Sequence, residues 1–251
     1  AAAYIRAHFQ ELGLTAPVET KGGKSYFQAF DLEKNGPGDT YIKIGDEKKT
    51  NGEGTLYWGG MNSNGEQTIE AVYVGEGDTT TFESMDVKGK AVIMSVKGGF
   101  QLFRQKRNYA DERGAALVLM VNADDQKSFD ELIGNWKGFF LGSSMGFAST
   151  EPLTSGGLFF ISPENAATLL KSSTDKMTKA LEEYKAGKST ALKKIKPGKL
   201  TYKTERNKEI VATENVLGFL EGTDKKEEIV VITSHYDHIG KTGDEINNGS
   251  W

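Results

Sequence analysis

The sequence contains no cysteine, which excludes disulfide bonds, thiolate metal sites and cysteine nucleophiles together. It also has no excess of positive charge, because 31 Lys and Arg residues stand against 35 Asp and Glu residues for a net charge of -4. A nucleic-acid-binding protein needs a basic face to neutralise phosphates, so this balance argues against that class. No run approaches the ~18 apolar residues that cross a bilayer, and we expect no membrane span.

The start of the chain lacks two common signals. It opens AAAYIRAHFQ, without an initiator Met and without the charged-then-apolar pattern of a signal peptide. We therefore interpret it as a mature or truncated chain. Its 251 residues, 37% hydrophobic and 26% charged, suffice for one large domain or two ordinary ones with packed cores.

The middle of the sequence predicts an α/β fold. GKAVIMSVKG (89–98) is a strong apolar strand, FRQKRNYADERG (103–114) is helical, and AALVLMVN (115–122) is a continuous apolar run. Such a run is typical of a strand that is buried on both faces. A strand, a helix and a second buried strand form a βαβ unit, which places the two strands parallel.

The sequence pattern changes near residues 50 and 197, and these two changes indicate an insertion. We predict a first domain built from residues 1–50 and 198–251, and a second domain, residues 51–197, inserted into it. The fold class expected is thus α/β, with a sheet domain interrupted by a mixed β/α insertion.

Two of the only three histidines lie close together near the end of the chain. EIVVITSHYDHIG (228–240) is predicted to be a buried strand with His235 and Asp237 at its carboxyl end. Residues i and i+2 of a strand project to the same side, so the carboxylate can hold one ring nitrogen while the other faces a metal. The alternative is a surface histidine beside a solvated aspartate in a turn.

The sequence TENVLGFLEGTDKKEEIVVITSHYDHIG, followed by GDEINNG, resembles the start of the catalytic domain of M28 zinc peptidases. That family reads N-V-[IL]-G-x-[IL]-x-G, an apolar strand, H-[YFT]-D and then N-G-A-x-D. The middle, GKAVIMSVKGGFQLFRQKRNYADERGAALVLMVN, is similar to a protease-associated (PA) domain, which many bacterial members carry as an insertion.

The resemblance implies roles for individual residues. His235 would be a zinc ligand, and Asp237 the carboxylate that orients it. His238 is not a ligand in the family and would be a loop residue near the substrate cleft, while His8 is expected at the edge of the core. The sequence ends Asn248-Gly249-Ser250-Trp251, where the family continues to a metal-bridging Asp. We therefore expect an N-terminal fragment that is inactive as it stands.

The family implies a two-zinc exopeptidase that hydrolyses N-terminal peptide bonds of peptide substrates outside the cytoplasm, in an extracellular or periplasmic location. The sequence leaves oligomeric state open. The alternative is a non-catalytic PA-type binding module, in which Trp58, Trp136, Phe139 and Phe140 are exposed contacts and NWKGFFLGSSMGF (135–147) is a mobile flap. The competing interpretation places these aromatics in the insertion's own core.

Overall fold

The computed structural model describes residues 1–147, 157–238 and 240–247. It divides the chain into two units, the first formed by Ala1–Leu32 with Val211–Trp251 and the second by Glu33–Ile210. Helices and strands occur together, which confirms the predicted α/β class.

The helices in the described residues are α1 (Ala2–Glu11), α2 (Thr79–Ser84), α3 (Phe100–Glu112), α4 (Gln126–Phe140), α5 (Pro163–Leu169) and α6 (Thr174–Lys185), with a 3-10 helix at Leu192–Lys194. The strands are β1 (Val18–Thr20), β2 (Gly23–Ser25), β3 (Phe27–Pro37), β4 (Tyr41–Ile44), β5 (Glu47–Asn51), β6 (Gly54–Trp58), β7 (Gln67–Tyr73), β8 (Ala91–Ser95), β9 (Leu117–Val121), β10 (Ser144–Phe147), β11 (Gly157–Phe160), β12 (Gly198–Lys203), β13 (Arg206–Val216), β14 (Gly240–Thr242) and β15 (Glu245–Asn247).

Eight strands of the second unit close into a barrel in the order β11-β6-β5-β4-β12-β7-β8-β9. The strands β8 and β9 pair in parallel, with Ala91 opposite Leu117 and Ser95 opposite Val121. Helix α3 connects them, so the predicted βαβ unit is confirmed. Strand β9 also pairs in parallel with β11.

Strand β9 divides its side chains between two cores. Leu117 and Leu119 lie in one buried cluster, whereas Val118 and Met120 lie in another. This alternation follows from the two-residue period of a strand, whose successive side chains point to opposite faces. All four are fully buried, as the continuous apolar run predicted.

Helices cover the second unit on both sides of these strands. Phe103 of α3 and Phe129 of α4 pack into the cluster that contains Met120. Helix α4 begins with a capping box, in which the Asp125 carboxylate accepts from the Ser128 backbone N–H and the Ser128 hydroxyl caps the Asp125 N–H in return. Leu169 of α5 and other apolar residues of α5 and α6 pack into the opposite cluster.

The bounds of the two units differ from the predicted junctions at residues 50 and 198. Strand β4 pairs antiparallel with β12, so that Tyr41 lies opposite Lys203 and Thr201 opposite Lys43. Because this ladder forms part of the barrel, the contacts of residues 41–51 group them with the second unit. The assignment of the units to a peptidase domain and a PA-type insertion stays a prediction.

The first unit contains α1, the β1–β2 hairpin and the adjoining parts of β3 and β13. Thr15 and Phe219 form a β-bridge, and the Tyr26 hydroxyl donates to the Leu14 carbonyl oxygen at 2.6 Å. Helix α1 carries no buried residue, and Tyr4 and Leu12 are largely exposed.

Candidate functional site

The segment that precedes His235 does not form the predicted strand. The structure assigns no strand to residues 228–238. The side chains of Ile229 and Ile232 are 80% and 93% exposed. The prediction of a buried strand is therefore wrong for this structure, because no strand among the described residues supplies a backbone ladder or an apolar face for this segment.

The His235 ring is held by the main chain of Asp237. Nδ1 of His235 lies 2.6 Å from the Asp237 carbonyl oxygen and 3.8 Å from Oδ1 of its carboxylate. A carbonyl oxygen only accepts hydrogen bonds, so Nδ1 must donate, and the neutral ring then carries its lone pair on Nε2. The ring is 76% exposed. The Asp237 carboxylate lies nearby but not in hydrogen-bond contact.

Tyr236 ties the same segment to β13. Its hydroxyl donates to the main-chain carbonyl oxygen of Glu214, in β13, at 2.7 Å. Sequence reasoning missed this contact. No local pattern indicates it, because the acceptor, Glu214, lies 22 residues earlier in the sequence.

The other two histidines are also exposed. The His238 ring centroid lies 6.2 Å from that of His235. His8, expected at the edge of the core, lies on exposed α1, stacked on Tyr4 with centroids 5.8 Å apart. Its Nδ1 is 3.0 Å from Oε2 of Glu11. The expectation for His8 is wrong because α1 buries no side chain.

The described residues do not form a complete zinc site. Across residues 1–147, 157–238 and 240–247, no three His, Asp or Glu side chains converge to hold a metal ion. A zinc site takes about three protein ligands and a water, and the His235 segment supplies one imidazole with one carboxylate beside it. Residues 248–251, where the family pattern would continue, lie outside the described residues.

The four aromatic residues of the alternative interpretation differ in exposure. Phe140 is buried, Trp58 and Trp136 are partly buried against the core, and Phe139 is 71% exposed. Residues 135–140, expected in a flap, form the second half of α4. The interpretation of an internal aromatic core holds for most of this group, and Phe139 is the exception.

Comparisons with known proteins give only distant structural likeness. No family model matches the sequence, and no curated protein matches it. Among solved structures, an aminopeptidase from Aneurinibacillus sp. strain AM-1 is similar over 91% of this chain, at 19% identity and a TM-score of 0.39. BSAP, a zinc aminopeptidase from Bacillus subtilis, is similar over 89%, at 13% identity and a TM-score of 0.37.

The chain spans less than half of either protein, 44% of the first and 41% of the second. TM-scores this low support no inference about the fold or the activity of this chain. None of the helices in the described part of the chain has the length and apolar character needed to cross a membrane.

Proposed function

We propose that this chain is the N-terminal portion of a zinc-dependent exopeptidase of the M28 type, which hydrolyses N-terminal peptide bonds, and that the 251-residue form is inactive. The observation that carries the proposal is the state of His235. Its side chain is exposed and its Nδ1 donates to the Asp237 carbonyl oxygen, so that the neutral ring carries its lone pair on Nε2.

This arrangement matches the geometry of a histidine that binds a metal. A histidine ligand binds through one ring nitrogen while the other donates to a carbonyl or carboxylate, which fixes the tautomer and the ring orientation. Nδ1 of His235 already donates in this way, to the Asp237 carbonyl oxygen. The carboxylate, 3.8 Å from Nδ1, can replace the carbonyl as the acceptor by rotation of its own side chain. In the proposal Asp237 orients the ring and raises its basicity.

The described residues fall short of a zinc site, and the proposal therefore places the remaining ligands in residues outside the described part of the protein. When bound, zinc would act as a Lewis acid and lower the pKa of a coordinated water. The proposal further assigns Ala1–Leu32 and Val211–Trp251 to the peptidase domain, the barrel unit to a PA-type insertion, and the protein to an extracellular or periplasmic location.

The test is hydrolysis of an aminoacyl-p-nitroanilide in the presence of zinc, measured for residues 1–251 and for the protein expressed from its complete gene. We expect turnover only for the complete protein. His235→Ala should abolish that turnover, since it removes a ligand. His238→Ala is the matched control, because it removes the neighbouring exposed imidazole, and it should keep most of the activity.

Three results would overturn the proposal. These are turnover by residues 1–251 alone, an active His235→Ala variant of the complete protein, and an inactive complete protein that binds no zinc. Comparable loss in the His238→Ala and His235→Ala variants would reject the specific role of His235.

A second candidate function is a peptide- or protein-binding module. It is favoured by one observation, the exposure of Phe139 at the rim of an otherwise internal aromatic cluster.

A further inference from the structure

An aromatic cluster of the second unit reaches the surface at one edge. Phe100, the first residue of α3, lies at its centre, with ring centroids 4.8 Å from Trp136, 5.6 Å from Trp58 and 5.7 Å from Phe139. Trp136 and Trp58 are partly buried, whereas Phe100 is 37% and Phe139 71% exposed. The cluster thus has a buried base and an apolar rim in contact with water.

Two arginines of α3 border this rim. Phe100, Arg104 and Arg107 are spaced four and three residues apart, which places them along one face of the helix. The Cζ atoms of Arg104 and Arg107 lie 5.8 and 5.4 Å from the centroid of the Trp58 ring, within cation–π range. The basic stretch LFRQKR (102–107) therefore places both of its guanidinium groups beside the indole ring of Trp58.

Arg104 forms no ion pair in the described residues, whereas Arg107 interacts electrostatically with Asp111, one turn further along α3. Arg113, the residue that follows α3, forms an ion pair with Glu112 at 4.0 Å. Arg107 has a hydrogen bond from Nη2 to the neutral Asn108 side chain at 3.2 Å, and its buried Nε has no partner among these residues. In a chain of net charge -4, these two adjacent cations, of which Arg104 has no carboxylate partner in the described residues, form a distinct local surface beside an exposed aromatic residue.

We infer that Trp58, Phe100, Arg104, Arg107 and Phe139, here called the aromatic–arginine surface, bind an extended peptide segment that carries an acidic side chain and an aromatic side chain two residues apart. In an extended peptide such residues project to the same side, about 6.6–6.8 Å apart. The carboxylate pairs with the guanidinium groups, and the aromatic side chain packs on Phe139 and Phe100.

The charge on the surface selects this occupant. Guanidinium groups bind carboxylates in fixed hydrogen-bond geometry, and aromatic and Arg side chains are enriched where proteins recognise partners. A purely apolar partner would leave Arg104 without a carboxylate partner. The inference uses only residues of the second unit and does not depend on the proposed peptidase function.

The test is an NMR titration of the 251-residue protein with three blocked pentapeptides: acetyl-Gly-Glu-Ser-Phe-Gly-amide, the version with Lys in place of Glu, and the version with Ala in place of Phe. We expect the first peptide to shift the indole resonance of Trp58 and the other two to bind more weakly. Arg104→Gln should weaken binding of the first peptide about threefold, the contribution of one exposed ion pair.

Phe139→Ser should weaken binding about fivefold through loss of apolar contact. Both replaced side chains are exposed, so the fold should survive, as circular dichroism will show. Arg113→Gln is the matched control, since its guanidinium lies 3.5 Å from the Tyr109 ring rather than over Trp58, and it should bind the first peptide as the wild type does.

Equal binding of the Glu and Lys peptides, or unchanged binding by Arg104→Gln and Phe139→Ser, would overturn the inference. So would absence of binding by all three peptides. Concentration-dependent dimerisation that Phe139→Ser abolishes would assign the surface to a second copy of the chain instead. Tighter binding of an eight-residue oligothymidylate than of the Glu peptide would assign it to nucleic acid.

Discussion

Adding a methyl group should destabilise the second unit at Gly198 and stabilise it at Gly134. Gly198 begins β12, the strand that pairs with both β4 and β7 in the barrel. A Cβ built on it collides with the carbonyl oxygen of Leu169 and lies 2.9 Å from the carbonyl carbon. The obstacle is backbone at the end of α5, so no side-chain rotation can relieve it. Gly134, in the middle of α4, has no atom within 4 Å of its Cβ position.

The magnitudes follow from these surroundings. Overpacking against a fixed neighbour costs about 1–3 kcal/mol, so Gly198→Ala should destabilise the second unit by about 2 kcal/mol. Gly134→Ala should stabilise it by about 1 kcal/mol, since alanine is the better residue in a helix interior. With a urea dependence of about 2 kcal/mol per molar, the unfolding midpoints should move by about 1 M down and about 0.5 M up.

The assay is urea unfolding followed by tryptophan fluorescence. A Trp251→Phe background leaves Trp58 and Trp136 as the fluorophores, and both belong to the second unit. A Gly198→Ala midpoint equal to that of the parent would refute the close approach of β12 to α5. A Gly134→Ala midpoint below that of the parent would refute the open surroundings of α4.

Three further predictions concern the second unit. Burial raises the pKa of Tyr57 to about 12. In the unfolded chain this tyrosine ionises near pH 10. The contribution of the buried neutral tyrosine to the free energy of unfolding is therefore lost as the pH rises from about 10 to 12. Between pH 8 and pH 11 the free energy of unfolding, measured with urea, should fall by about 1.4 kcal/mol more in the wild type than in Tyr57→Phe. Asp125→Ala removes the α4 cap and should cost about 1 kcal/mol in the same assay; an unchanged midpoint would contradict the cap. Leu119→Ala, at a fully buried position, should cost about 2–5 kcal/mol in the same assay, and an unchanged midpoint would contradict its burial.

The barrel unit was predictable where local pattern and tertiary packing agree. The run AALVLMVN has no polar residue before its final Asn, and β9 is indeed buried on both faces. The start of α5 is also encoded locally, since the Ser162 hydroxyl accepts from the Asn165 backbone N–H at 3.1 Å, and Pro163 occupies the first turn. In these segments propensity, capping and burial all favour the same structure.

The unit bounds and the histidine segment were not predictable in the same way. Residues 41–44 look like a strand from their alternation, but their partner, β12, lies about 160 residues further along the chain. Apolar residues 229–232 have the composition of a buried strand, yet composition cannot supply the neighbouring strand that burial requires.

Parts of the candidate site were likewise beyond sequence reasoning. The pattern H-x-D identified His235 and Asp237 but not the atom that accepts from Nδ1, which is the main-chain carbonyl oxygen in the structure. Sequence reasoning also missed that two arginines converge on Trp58. The four- and three-residue spacing of Phe100, Arg104 and Arg107 is visible in the sequence, but their convergence on β6 depends on the barrel.

The most direct test of the central claim, that His235 is a metal ligand, is the zinc content of the protein expressed from its complete gene, determined by elemental analysis after dialysis. The account predicts two zinc ions per wild-type chain, fewer than two in His235→Ala, and two in His238→Ala. A His235→Ala protein that retains the full wild-type zinc content would contradict it.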